Sequence, residues 1–134
     1  MVEMEVAGVA QLPNGADIAI LQERDGARSI GIGIGKSTAA AIGAHIAGVQ
    51  LPRPGTYVLA VRVLDSLGAS VLRAVLDDDA GGEPAAFVEV GSSRGVMELP
   101  CAAEDAIAVA AHADAPVQVH PDLFKQAESD KSEA

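Results

Sequence analysis

Aromatic side chains are almost missing from this chain: tryptophan is absent, and the only Tyr or Phe residues are Tyr57, Phe87 and Phe124. A core without large rings must be built from Val, Ile, Leu and Ala, and alanine fills little volume, so its helices have to pack closely. With 134 residues the chain is one domain by length. A domain of this size has a limited core of its own, which favours further burial between subunits. Cysteine is as scarce as aromatics. Cys101 stands alone, which excludes an intrachain disulfide and a thiolate zinc cluster. Weighed as a nucleophile with His112 as its base, Cys101 reads better as a small buried hydrophobe. Positive charge is short too: nine Lys and Arg face nineteen Asp and Glu, for a formal net charge of −10. The resulting field repels a polyanion, so non-specific binding of nucleic acid is disfavoured, while a local site completed by a divalent metal such as Mg²⁺ stays compatible. The opening string MVEMEVAGVA has neither a basic region nor a long apolar run. It is therefore expected to be neither a signal peptide nor a membrane anchor, and the chain is expected to be cytoplasmic.

What is present is a clear alternation of strand and helix patterns. Apolar and polar residues take turns through VEMEVAGVAQLPNGADIAILQERDG, broken at Pro13-Asn14-Gly15 and at Asp25-Gly26. Two strands and the start of a third, ARSIGIGI, follow from that pattern. Glycines at 31, 33 and 35 weaken an ordinary strand and mark a close approach by another element. The stretch STAAAIGAHIAGVQLP then reads as a helix capped by Ser37 or Thr38. TYVLAVRVLDSLGAS is ambiguous, its β-branched residues arguing for a strand and Thr56, Gly68 and the apolar spacing for a helix. Beyond it come a strand in ASVLRAVLDD, a loop DDAGGEP, and a hairpin turning at Ser92-Ser93-Arg94-Gly95. AAEDAIAVAAHA is a helix with Glu104 and Asp105 in its first turn, APVQV a short strand and HPDLFKQA a brief helix. ESDKSEA carries little to bury, and a domain over 1–127 with a disordered acidic tail over 128–134 is expected.

Several short strings invite chemistry. GIGIGKST, residues 31–38, looks like a phosphate-binding loop, yet G-x-x-x-x-G-K-[ST] requires a glycine at position 30, where Ile30 stands. A tight strand-to-helix turn is the better reading. Asp77, Asp78 and Asp79 could ligate a cation through oxygen, but they precede Gly81-Gly82 and read as a solvated turn. His45, His112 and His120 fall on three separate elements, and their spacing carries no metal signature. Glu104 and Asp105 suit acid–base or metal chemistry, although neighbours on a helix point about 100° apart and a helix-dipole role alone accounts for them.

The strings IGIGKSTAAAI (32–42), GVQLPRPGTYVLAVRVLDSLGASV (48–71), AAEDAIAVA (102–110) and APVQV (115–119) share an order and spacing. In this the chain resembles the bifunctional nuclease family, over about residues 4–125. The resemblance implies a helix over Thr56 to Leu67, a homo-oligomer, and hydrolysis of DNA or RNA phosphodiesters. Its polar pattern is only partly kept. Thr38 stands where the family has glutamate, Tyr57 and Val58 where it has histidine and aspartate, and Gly33 where it has tryptophan. Pro100, Ala102, Ala103 and Glu104 take the places of aspartate, arginine, proline and serine. Arg53, Thr56 and Asp105 retain the family's identity.

The expected architecture is a single α+β domain, a mixed sheet of about seven strands carrying three main helices. Its candidate catalytic residues are Asp105, Arg53 and Thr56, with Glu104 as a replacement carboxylate. A nuclease-like hydrolase is one functional reading, and a non-catalytic oligomeric module on the same scaffold is the other. The metal requirement is open, Mg²⁺ being the cation that carboxylates of this kind would take.

Overall fold

The computed structural model describes residues 1–50, 55–77 and 85–124. The N-terminal alternation gives three antiparallel strands: β1 (Val2–Gln11), β2 (Asp17–Gln22) and β3 (Ser29–Ile34). Both connections turn on glycine in the left-handed region, Gly15 at φ 89° and Gly26 at φ 76°, where a side chain is strained. Asn14 and Asp25 reinforce them by accepting hydrogen bonds from the N–H groups of Ala16 and Ala27.

Helix α1 (Lys36–Ile46) follows directly from β3, and α2 (Thr56–Ser66) leads into β4 (Ser70–Asp77). Strands β5 (Ala85–Ser92) and β6 (Gly95–Cys101) form the expected hairpin, with Gly95 at φ 116°. The chain then enters α3 (Ala103–Ala113) and returns as β7 (Val117–Val119). The seven strands make one mixed sheet in the order β3-β2-β1-β7-β4-β5-β6, parallel only between β4 and β7. Strand β7 therefore lies at the centre. It is two residues shorter at its start than the APVQV pattern predicts, and Pro116 lies immediately before it without an N–H to give.

The helices form one layer, with α3 in the middle touching α1 and α2 and lying over β4 and β5. The core is aliphatic, its largest fully buried side chains being Met4, Leu21, Ile42, Leu76, Ile107, Val117 and Val119. Ala106, Ala108, Ala110 and Ala111 are buried with them, so the scarcity of aromatics is met by a small-residue helix drawn close to the sheet.

Two details depart from the sequence pattern. Ser37 and Thr38 do not cap α1, and Thr56 does not cap α2; Gly35 and Gly55 occupy the cap positions, with no side-chain cap bond. Thr38 is the third helical residue and is turned inward, only 2% exposed. The hydroxyl expected to cap the helix makes an interhelical contact instead. Cys101 is the second departure: it is exposed, not a buried hydrophobe, because it sits on edge strand β6 where no further strand covers it. The described part of the C-terminal helix is a turn at 122–124. Arg53, Asp78, Asp79 and the 127/128 boundary lie outside the described residues.

Candidate functional site

Three helix segments meet where α3 begins. Glu104 and Asp105 are its second and third residues, and Ala102 caps it without a side-chain bond. Unpaired N–H groups of the first turn favour negative charge there. The 100° divergence of adjacent helical residues, which argues against a shared role in the bare sequence, sends each carboxylate to a different neighbouring helix. Thr38 Oγ1 on α1 donates to Glu104 Oε1 at 2.6 Å, and the Tyr57 hydroxyl on α2 donates to Asp105 Oδ1 at 2.9 Å. The two hydroxyls lie 3.2 Å apart and join the pairs into one chain, Glu104–Thr38–Tyr57–Asp105.

Protons can be counted along that chain. It contains three hydrogen-bond contacts, but the two hydroxyls carry one proton each. With both carboxylates ionised, the Thr38–Tyr57 contact has no proton of its own. One proton added to either carboxyl makes the chain continuous, so it can take up a proton at one end and give it at the other. Burial pushes the Tyr57 hydroxyl above its ordinary value, the neighbouring Thr38 bond opposes this, and Asp105 adds to the rise. Tyr57 therefore remains a neutral donor across the physiological range.

Gly35 explains part of the glycine spacing. A Cβ on it would meet Glu104 Oε1 at 3.4 Å, so the strand-to-helix junction lies against the carboxylate. Gly31 is the other close approach, its Cβ position being 2.9 Å from Ile18 Cδ1, whereas Gly33 has nothing near it.

Behind Tyr57 lie two of the three histidines. The rings of His45 and His112 are 4.5 Å apart between centroids, and His112 is 5.6 Å from Tyr57. His120 is elsewhere, beside Asp122 at 3.9 Å, so the three do not assemble. Among the described residues no group of three or more His, Cys, Asp or Glu is arranged to hold a metal. His112 Nδ1 donates to the Ala108 carbonyl at 2.8 Å. Burial holds the His112 pKa below its ordinary value of 6.5, the carbonyl bond raises it, and His45 lowers it again. The unfolded chain thus binds this proton more readily than the folded one. Stability from His112 is complete above the unfolded value and is lost as pH falls from there through the depressed folded value. The melting temperature should accordingly fall between about pH 7.5 and pH 5.5, less steeply in His112→Gln than in the native chain. Equal slopes in thermal denaturation would refute this role for His112.

Beyond Asp105 an apolar groove of about 500 Å³ opens between α2, α3 and the β5–β6 hairpin. Leu59, Val63 and Leu64 line one wall and Val88, Val90 and Leu99 its floor; Thr56, Cys101 and Asp105 border it, but the surface it exposes is wholly apolar. The Cys101 thiol is pushed up by burial and then by the Asp105 charge, which keeps it protonated and a poor nucleophile. The structure thus brings Glu104, Asp105 and, at the groove, Thr56 into one region. It adds Thr38 and Tyr57, which sequence reasoning treated only as losses. Their signal lay in pairs: a carboxylate is missing at 38 and present at 104, where the family pattern has serine. In this chain the hydroxyl on α1 and the carboxylate on α3 are in direct hydrogen-bond contact.

A mixed seven-stranded sheet with a three-helix layer and a polar cluster at the α3 N-terminus defines a single α+β domain. The family model of the bifunctional nuclease domain matches residues 19–132, and the chain belongs to that family. It is also similar to uncharacterized proteins from two strains of Mycobacterium tuberculosis, CDC 1551 / Oshkosh and ATCC 25618 / H37Rv. Each is 30% identical over 128 residues, covering 95% of this chain and 76% of the relative. Among the described residues no helix is long and apolar enough to cross a membrane.

Proposed function

We propose that the chain is a cytoplasmic, homo-oligomeric hydrolase of nucleic-acid phosphodiesters that works through its two α3 carboxylates. The continuous chain Glu104–Thr38–Tyr57–Asp105 is the observation that carries this reading. Phosphodiester hydrolysis requires a proton to leave the attacking water and another to reach the departing oxygen. Two carboxyls joined by two hydroxyls meet both needs without net proton uptake. One carboxylate accepts from water, the chain shifts its protons, and the carboxyl at the far end donates to the leaving oxygen. Thr56 borders the same region.

Glu104 and Asp105 are also the residues that would hold a divalent cation. Turned to different helices, the two carboxylates would each offer a single ligand, and Mg²⁺, which keeps several waters, takes as few as one carboxylate with substrate phosphates. Such a cation would neutralise charge on the phosphate. That supply matters because, among the described residues, no lysine or arginine hydrogen-bonds to the two carboxylates or lines the groove. The same shortage, with the net charge of −10, favours the second reading, a non-catalytic module on the same scaffold.

Incubation with single- and double-stranded DNA and RNA, with Mg²⁺, Mn²⁺ or chelator, separates the two. Metal-dependent cleavage is expected, reduced about 10²–10⁴-fold by Glu104→Gln or Asp105→Asn, the range for loss of an acid–base group. Tyr57→Phe should lower the rate while leaving substrate binding intact. Absence of both cleavage and binding at low salt, where electrostatic attraction is strongest, would leave the non-catalytic reading standing.

A further inference from the structure

Helices α1 and α3 run side by side with the same polarity. Thr38 and Glu104 meet near their starts, and His45 and His112, about two turns further along, meet in their last turns. Both rings therefore sit at helix C-termini, where aligned peptide dipoles concentrate partial negative charge and favour a cation. No lysine or arginine occupies either last turn. In the neutral ring, His112 Nδ1 donates its proton to the Ala108 carbonyl at 2.8 Å, which leaves the lone pair on Nε2. Metal-binding histidines are held in this way, one ring nitrogen tied to a carbonyl and the other presented. No hydrogen bond or ion pair engages His112 Nε2 or either nitrogen of His45. Both rings are also open to water. His45 is exposed, and the one buried polar side-chain atom without a partner among the described residues is Arg73 Nε, not His112 Nε2.

We propose that His45 and His112 form a two-histidine clamp for a late divalent transition-metal ion, Cu²⁺ or Ni²⁺, with water filling its remaining positions. Imidazole suits these ions, and Cu²⁺ stands at the top of the divalent affinity order. The spacing fits. With metal–nitrogen bonds of about 2.0–2.1 Å each ring centroid lies about 3.2 Å from the ion, so centroids are about 4.5 Å apart for rings at 90° and about 5.2 Å at the tetrahedral angle. The two rings are 4.5 Å apart and tilted by 35°. That matches neighbouring positions on a tetragonal ion more closely than a zinc tetrahedron. The donor count agrees, because a structural zinc site takes four protein ligands and no group of three or more His, Cys, Asp or Glu is arranged for a metal among the described residues. Two nitrogens with water in the remaining positions leave Cu²⁺ and Ni²⁺ as the fitting class.

The clamp uses neither Glu104 nor Asp105, and none of its readouts requires hydrolysis. One equivalent of CuCl₂ added to the full chain should give an electron paramagnetic resonance spectrum split by two nitrogens. His45→Gln, a change at an exposed ring, should reduce the splitting to that of one nitrogen and weaken binding about 100-fold, the loss expected when two linked donors become one. His120→Gln should leave both unchanged, and Mg²⁺ at about 10 mM, an ion that takes oxygen ligands, should displace nothing. Saturating Ni²⁺ should raise the melting temperature of the native chain by about 5 °C and leave that of His45→Gln in place, because the ion joins α1 to α3 only while both are folded. Fewer than two nitrogens in the native spectrum, or an affinity changed less than about 3-fold by His45→Gln, would overturn the clamp. So would loss of binding in His120→Gln, which would place the ion away from the α1–α3 pair.

Discussion

Thr38→Glu should be among the most destabilising polar substitutions in the domain, at about 3–5 kcal/mol, the range for leaving an uncompensated charge in a buried place. Thr38 is 2% exposed, and its hydroxyl is 2.6 Å from Glu104 Oε1. A carboxylate in its place confronts Glu104 without a donor between them, and the longer side chain must also displace neighbours on α3. The compensating double substitution Thr38→Glu/Glu104→Ser puts the carboxylate on α1 and the hydroxyl on α3, the arrangement of the family pattern. It should recover most of the loss, giving a favourable coupling of about 2 kcal/mol or more in a double-mutant cycle. Urea titration of the four proteins measures it. If the double variant is as unstable as the summed singles, then Thr38 and Glu104 are independent losses and not one exchanged pair. The cycle therefore tests stability and, with it, the premise that this polar cluster is a rearranged site.

That exchange marks where legibility in the sequence ended. Element order was readable because each signal is local. Alternation and turn glycines placed β1 to β3, and the Ser92–Gly95 hairpin followed from turn chemistry. The central position of β7 was not readable, since its three residues pair with β1 on one side and β4 on the other through contacts about 40 or more residues away in sequence. Helix α2 was undecidable from propensity, and only family resemblance resolved it, because its apolar stripe faces outward and never forms the buried pattern that identifies a helix. At the site, Glu104 and Asp105 were visible as charges at a helix start. Thr38 and Tyr57 were not, since a hydroxyl has no periodic signature and gains meaning only when its partner on another helix is known. The three histidines show the same limit: two meet across α1 and α3, and one does not.

Ile107→Ala should cost about 3–5 kcal/mol, the upper part of the range for truncating a buried branched side chain. Ile107 is fully buried on α3, between the sheet and the neighbouring helices. How much such a site costs depends on how far its surroundings collapse into the space left behind. Here collapse is restricted, because Ala106, Ala108, Ala110 and Ala111 flank it on the same helix and have no rotatable side chain to move inward. The absence of core aromatics also leaves few large neighbours able to lean across. Against a total of about 5–15 kcal/mol for a domain, this single change removes a large fraction of stability. In urea the transition midpoint should fall with an unchanged slope, at one fixed protein concentration so that association does not contribute. Leu59→Ala, on the exposed stripe, should change monomer stability by less than about 0.5 kcal/mol. A cost below about 1 kcal/mol for Ile107→Ala would mean that α3 can relax toward the sheet. The Glu104–Thr38–Tyr57–Asp105 chain depends on that helix being held at one height, so loss of its rigidity would remove the physical basis for a preorganised site.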